Sequence, residues 1–116
     1  MPISPEATAR LMAPLVAIRP ITSRKMFGGL GIYCDGVFFA VIDDDRLYFK
    51  FDELTRPDYE AFQAEQWVTE GENGGAMPYF EVPTAIHADP IQLGVFVDAA
   101  VGVALRKKTK SKSKNR

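Results

Sequence analysis

The dipeptide Asp35-Gly36 is the tightest constraint in the chain. Both residues accept positive φ, and both sides are flanked by apolar runs, so it predicts a two-residue hairpin turn. The run before it, Phe27–Cys34, contains Gly28, Gly29 and Gly31. Glycine inside a strand marks a bulge or a close backbone approach. The run after it, Val37–Ile42, is continuously apolar, as expected of a strand largely buried on both faces. Asp43-Asp44-Asp45 forms a second polar turn. Arg46–Phe51 then alternates, with Leu47, Phe49 and Phe51 on one side. The centre of the chain is thus a three-stranded antiparallel meander.

Helices flank the meander. Ser4-Pro5-Glu6 has the chemistry of a helix start, a capping hydroxyl followed by Pro at the first helical position. Ala7, Leu11, Leu15 and Ile18 then form one buried face, although Pro14 is expected to bend or end the helix. Thr55 and Pro57 open a short helix on which Tyr59 and Phe62 share a face. Trp67–Thr69 and Met77–Val82 are two further strands, and Pro78 assigns the second to an edge or a bulge. Asp89-Pro90-Ile91-Gln92 caps a final helix striped by Leu93, Phe96, Val97, Ala100, Val101 and Ala104. The fold class is α+β, a two-layer α-β3-α-β2-α order with one antiparallel five-stranded sheet and helices on one face.

Charge divides the chain at residue 105. Of 14 Lys/Arg, seven (Arg106, Lys107, Lys108, Lys110, Lys112, Lys114 and Arg116) lie in a terminal run without an acid. The other seven face all 15 Asp/Glu. Residues 1–105 are the expected folded domain, and 106–116 a basic disordered tail, since Lys/Ser alternation from about Thr109 has nothing to bury. Cys34 is the only cysteine and His87 the only histidine, which excludes an intramolecular disulfide and a Cys-based zinc site. No signal peptide or membrane span is visible, so the expected location is cytoplasmic.

Five blocks in order carry a resemblance. They are Lys25-Met26-Phe27-Gly28-Gly29-Leu30-Gly31-Ile32-Tyr33, Asp35-Gly36-Val37-Phe38-Phe39-Ala40, Arg46-Leu47-Tyr48-Phe49-Lys50, Arg56-Pro57-Asp58-Tyr59-Glu60-Ala61 and Met77-Pro78-Tyr79-Phe80-Glu81-Val82-Pro83. Over roughly residues 8–105 the chain resembles the N-terminal domain of the TfoX/Sxy family. The resemblance implies a secretion-chaperone-like two-layer fold. It also implies kinship with regulators of DNA uptake, thought to act as co-activators with the cyclic-AMP receptor protein. Full-length relatives carry a helical C-terminal domain where this chain carries its Lys-rich run. The family supplies no catalytic residues.

No catalytic, cofactor or metal site is expected. Gly28-Gly29-Leu30-Gly31 fits neither phosphate-loop template and precedes a strand rather than a helix. The Asp43–Asp45 run lacks the alternating ligands of a calcium loop. His87 has Asp89 two residues on but no paired nucleophile, and Cys34 is most simply a core residue. Tyr33, Tyr48, Phe49, Tyr79 and Phe80 are placed first in core packing and second as a base-stacking platform.

The expected function is a non-enzymatic regulatory or interaction domain, binding a protein partner such as transcription machinery and able to form a homodimer. Its expected interaction surface is Phe27, Gly28, Gly29, Met77, Pro78 and Tyr79. The alternative is weak, non-specific nucleic-acid contact through Arg106–Arg116. A carboxylate-dependent enzyme using Glu81 or Asp35 ranks last.

Overall fold

The computed structural model describes residues 3–26, 28–72 and 74–114, with residues 108–114 as backbone only. Helix α1 (Pro5–Ile18) is followed by β1 (Ile21–Met26), β2 (Gly29–Cys34), β3 (Val37–Asp43) and β4 (Arg46–Lys50). Then come α2 (Arg56–Glu60), β5 (Gln66–Thr69), β6 (Gly75–Glu81), α3 (Thr84–His87) and α4 (Pro90–Lys114). The sheet has six strands in the order β1-β2-β3-β4-β6-β5, every neighbouring pair antiparallel.

The α+β class holds, and the strand count is corrected from five to six. The added strand is β1, Ile-Thr-Ser-Arg-Lys-Met, whose interior is exposed while only its ends are half-buried. An edge strand of that kind has no apolar alternation to announce it. The four-residue α3 after Pro83 also escapes a periodicity test.

Helix α1 starts as its residues dictate, with Ser4 Oγ accepting from the Ala7 N–H at 3.2 Å. It continues through Pro14 to Ile18 without a break, because Leu11 and Leu15 pin the turns on either side of the proline into the core. In α4, Asp89 Oδ1 accepts from the N–H groups of Ile91 and Gln92. Its helical backbone runs on to Lys114, past the 105/106 boundary at which disorder was expected. Lysine is a good helix former, and cations suit a helix C-terminus. Helix α2 ends before Phe62, so Tyr59 is buried whereas Phe62 is 47% exposed. Asp52 rather than Thr55 caps the preceding turn, its Oδ1 accepting from Leu54 and Thr55 N–H groups.

The main core lies between the sheet and the helices. Leu11, Leu15, Ile32, Phe49, Tyr59, Phe80, Leu93 and Val97 meet there. Tyr59 stacks on Phe80 at 5.4 Å and takes the edge of Phe96 at 5.3 Å. Burial holds its phenol protonated far above the usual tyrosine range.

Both aspartate turns adopt left-handed backbone. Asp35 and Gly36 have φ of 53° and 81°, and Asp44 and Asp45 have 53° and 59°. Between β2 and β3 the register slips at Ile32/Tyr33, where the partner jumps from Ala40 to Phe38. Phe39 is the extra residue, and the bulge lets Phe39 and Ala40 both enter the core while Phe38 faces the other way.

Gly29 tests the packing directly. A Cβ there would stand 2.4 Å from the Ile42 carbonyl oxygen, a backbone atom that cannot swing aside. Gly29→Ala is expected to destabilise the fold by about 1–3 kcal/mol, the usual cost of overpacking. Urea unfolding measures it, and an unchanged midpoint would mean that the glycine is not a packing requirement.

Candidate interaction surfaces

Two surfaces have the geometry to meet a partner, and they lie on opposite flanks of the sheet. The first is a groove of about 1050 Å³ between α1 and the β1–β2 hairpin. Ile3, Pro5, Ala9, Met12, Met26 and Leu30 supply its apolar lining. Among the described residues, Lys25 is its only charged lining residue, and Gly28 and Gly29 line it near the turn. Gly28 has φ of 81°, which the turn requires. Ser4, at the groove's end, donates its N–H to Asp45 Oδ1 at 2.7 Å and so ties the start of α1 to the β3–β4 turn.

The second surface is the face of the sheet that no helix covers. Val41, Tyr48 and Tyr79 form its centre, with Phe38, Trp67 and Met77 packed against them. Tyr33 pairs with Phe38 across β2 and β3 at 5.3 Å, and Phe38 lies 6.3 Å from Tyr79. Trp67 meets Tyr79 edge-on at 5.4 Å and stacks on Tyr48 at 5.9 Å. The five rings thus form a continuous chain. Trp67 Nε1 donates to Asp43 at 3.0 Å, fixing the indole over its neighbours.

Charges close this face further. Lys50 Nζ sits 5.3 Å from the Phe38 ring centre and 5.6 Å from that of Tyr79. Arg46 lies 3.5 Å from Glu81 and 3.4 Å from Glu65. Burial raises the Glu81 carboxyl, against the pull of Arg46. Burial also pushes the Tyr79 phenol up to about 12. The aromatic residues are therefore occupied with one another and with Lys50. This supports packing over base stacking, as does the inward placement of Phe49 and Phe80.

The expected interaction surface is thus divided. Gly28 and Gly29 border the groove, whereas Met77 and Tyr79 lie on the uncovered face, with β3 and β4 between them. Phe27 lies outside the described residues. Pro78 is not on an edge, because β6 runs between β4 and β5. It lies where the β5–β6 register slips, and its carbonyl accepts from the Phe51 N–H at 3.0 Å. The bulge alternative for Pro78 is the one realised. The lining from α1 and the cations of β1 went unread in the sequence. Their only signal was the β-branched pair Ile21-Thr22 between Pro20 and the glycines.

The remaining candidates have structural employment. His87 Nε2 lies 3.1 Å from the Leu11 carbonyl oxygen, joining α3 to α1. Cys34 is buried, and its thiol is pushed up first by burial and then by nearby carboxylates. At the foot of the basic run, Arg106 donates to Asp52 Oδ2 from Nε at 3.0 Å and Nη2 at 2.8 Å. Lys107 is exposed. The side chains of Lys108, Lys110, Lys112 and Lys114, and all of Arg116, lie outside the described residues. Among the described residues, no helix is long and apolar enough to cross a membrane.

Residues 11–104 match the family model of the TfoX N-terminal domain, which covers most of the chain, and the chain belongs to that family. No curated protein matches it at a significant level.

Lys50 links the uncovered face to pH. Burial lowers its pKa below the ordinary 10.5, and the charge of Lys107 adds to the effect. The folded state therefore releases this proton before the unfolded state does. The cost of holding the charge is fully present below the folded pKa and is relieved as the pH rises toward 10.5. Lys50→Met is expected to remove this alkaline gain. Comparing urea midpoints of the two proteins from neutral pH to pH 10 checks it, and parallel profiles would contradict it.

Proposed function

We propose that this TfoX N-terminal domain is a non-enzymatic regulatory module, related to the control of DNA uptake, that works in the cytoplasm by binding another protein. The observation that carries this reading is the groove between α1 and the β1–β2 hairpin. It is apolar, with α1 on one side and the edge of the sheet on the other. Family membership supports the regulatory class. The titratable groups with shifted pKa values also have structural partners: Arg46 for Glu81, and ring packing for Tyr79.

A photo-crosslinking residue at Met12, inside the groove, is expected to capture a distinct protein in living source cells. The same residue at Val95, 58% exposed on α4, provides the control. A transcription component captured from Met12 alone is the expected result. Identical products from both positions would refute a groove-directed function.

A second reading rests on α4. Its helical extension from Arg106 to Lys114 presents a basic run whose base is fixed by Asp52. Such a run binds nucleic acid by releasing counterions, without sequence preference. Affinity for a DNA duplex is expected to fall linearly on a log–log plot against salt. It should be lost when residues 107–116 are removed, a truncation that keeps the Arg106–Asp52 contact. Equal binding by the shortened protein would reject this mechanism.

A further inference from the structure

The groove has a neighbour that specifies what enters it. Strand β1 is the outermost strand of the sheet, and its register on β2 is regular from Ile21↔Cys34 to Met26↔Gly29. The Asp35 N–H donates to the Pro20 carbonyl at 3.1 Å, which fixes the phase of the ladder. Antiparallel pairs alternate between hydrogen-bonded and non-hydrogen-bonded. Counting from Pro20, it is Thr22, Arg24 and Met26 that bond to β2. Ile21, Ser23 and Lys25 therefore turn their N–H and C=O groups outward.

These three residues sit opposite Cys34, Ile32 and Leu30, which belong to the helix-side core. Residues directly opposite share a face, so a further strand paired to Ile21, Ser23 and Lys25 would send alternate side chains to the helix side, toward the groove. The side chains between them would lie on the uncovered face beside Thr22 and Arg24. Arg24 and Lys25 are both exposed, and β1 carries no acid.

We propose that the groove and the β1 edge together accept an extended acidic segment of a partner protein, added as a seventh strand with alternating apolar and acidic residues. Its apolar residues enter the groove against Met12, Ala9 and Leu30, on the face that carries Lys25, and its carboxylates lie on the opposite face beside Arg24. Main-chain bonds supply affinity in such additions, and the alternate pockets supply specificity. The domain body is acidic, so the two cations make this edge the place where an acidic strand is tolerated. A second copy is a poorer occupant. Self-pairing would gather two Arg24 and two Lys25 on one short edge.

This inference rests on the protein-binding function proposed above, and its test separates the two. The probe is a labelled seven-residue peptide alternating valine and aspartate, with a lysine-for-aspartate counterpart, titrated into the full chain. The aspartate peptide is expected to bind at least about tenfold more tightly than the lysine one. Arg24→Glu combined with Lys25→Glu, both on the exposed edge, is expected to reverse that order. N-methylation of one alternate set of peptide nitrogens should abolish binding, while methylation of the other set should be tolerated. Equal affinity for the two peptides, or equal effects of both methylations, would overturn strand addition. So would a dimer of the full chain that the charge reversal dissolves, since a second copy would then own the edge. If the doubly substituted protein still crosslinks its partner from Met12, strand addition fails while the protein-binding function stands. If Met12 captures nothing in the unsubstituted protein, the function itself fails.

Discussion

An antiparallel sheet that does not close has two edges, and each must be blocked, charged or used. The two edges here are treated differently. Strand β5 is short, its register slips against β6, and its side chains are tied down. Gln66 donates to the Met77 carbonyl at 2.8 Å and Trp67 to Asp43. Strand β1 keeps a regular register over its whole length and carries two cations in place of a bulge or a cover. Lysine and arginine on an edge discourage indiscriminate pairing without removing the capacity to pair. The asymmetry makes one edge a terminus and leaves the other selective.

The two faces follow from the same register. The bulge at Phe39 turns Phe38 outward against Tyr33 and commits Phe39 and Ala40 to the helix side. The uncovered face then closes over itself through five rings, with Lys50 above two of them. Among the described residues, the groove beside α1 is by contrast an apolar surface with open space in front of it. Charge reinforces the division. Asp98, Glu81 and Asp52 are paired with Arg19, Arg46 and Arg106, whereas Arg24 and Lys25 stand exposed together on β1.

Much of this was legible in the residues, and the gaps have physical causes. Asp35-Gly36 and Asp44-Asp45 declared their hairpins because few residues accept their backbone angles. Asp89 declared the start of α4 through its carboxylate. Strand β1 stayed silent because an edge strand facing solvent has no buried side for an apolar pattern to record. Half of the candidate site was lost with it, since Arg24 and Lys25 have meaning only once the strand is seen. Gly28 and Gly29 drew notice for their backbone geometry, and they border the groove. Met77 and Tyr79 were grouped with them by sequence character, although two strands lie between. Pro14 shows the converse: local chemistry argued for a break, and burial of Leu11 and Leu15 overrode it.

The account stands or falls on β1 being a regular strand with a free outer edge. Residue-resolved amide hydrogen exchange on the unbound full chain measures this directly. The N–H groups of Thr22, Arg24 and Met26, bonded to β2, are expected to exchange slowly. Those of Ile21, Ser23 and Lys25, turned to solvent, should exchange at rates close to those of an unstructured chain. Uniform protection along β1, or uniform exposure, would contradict the account.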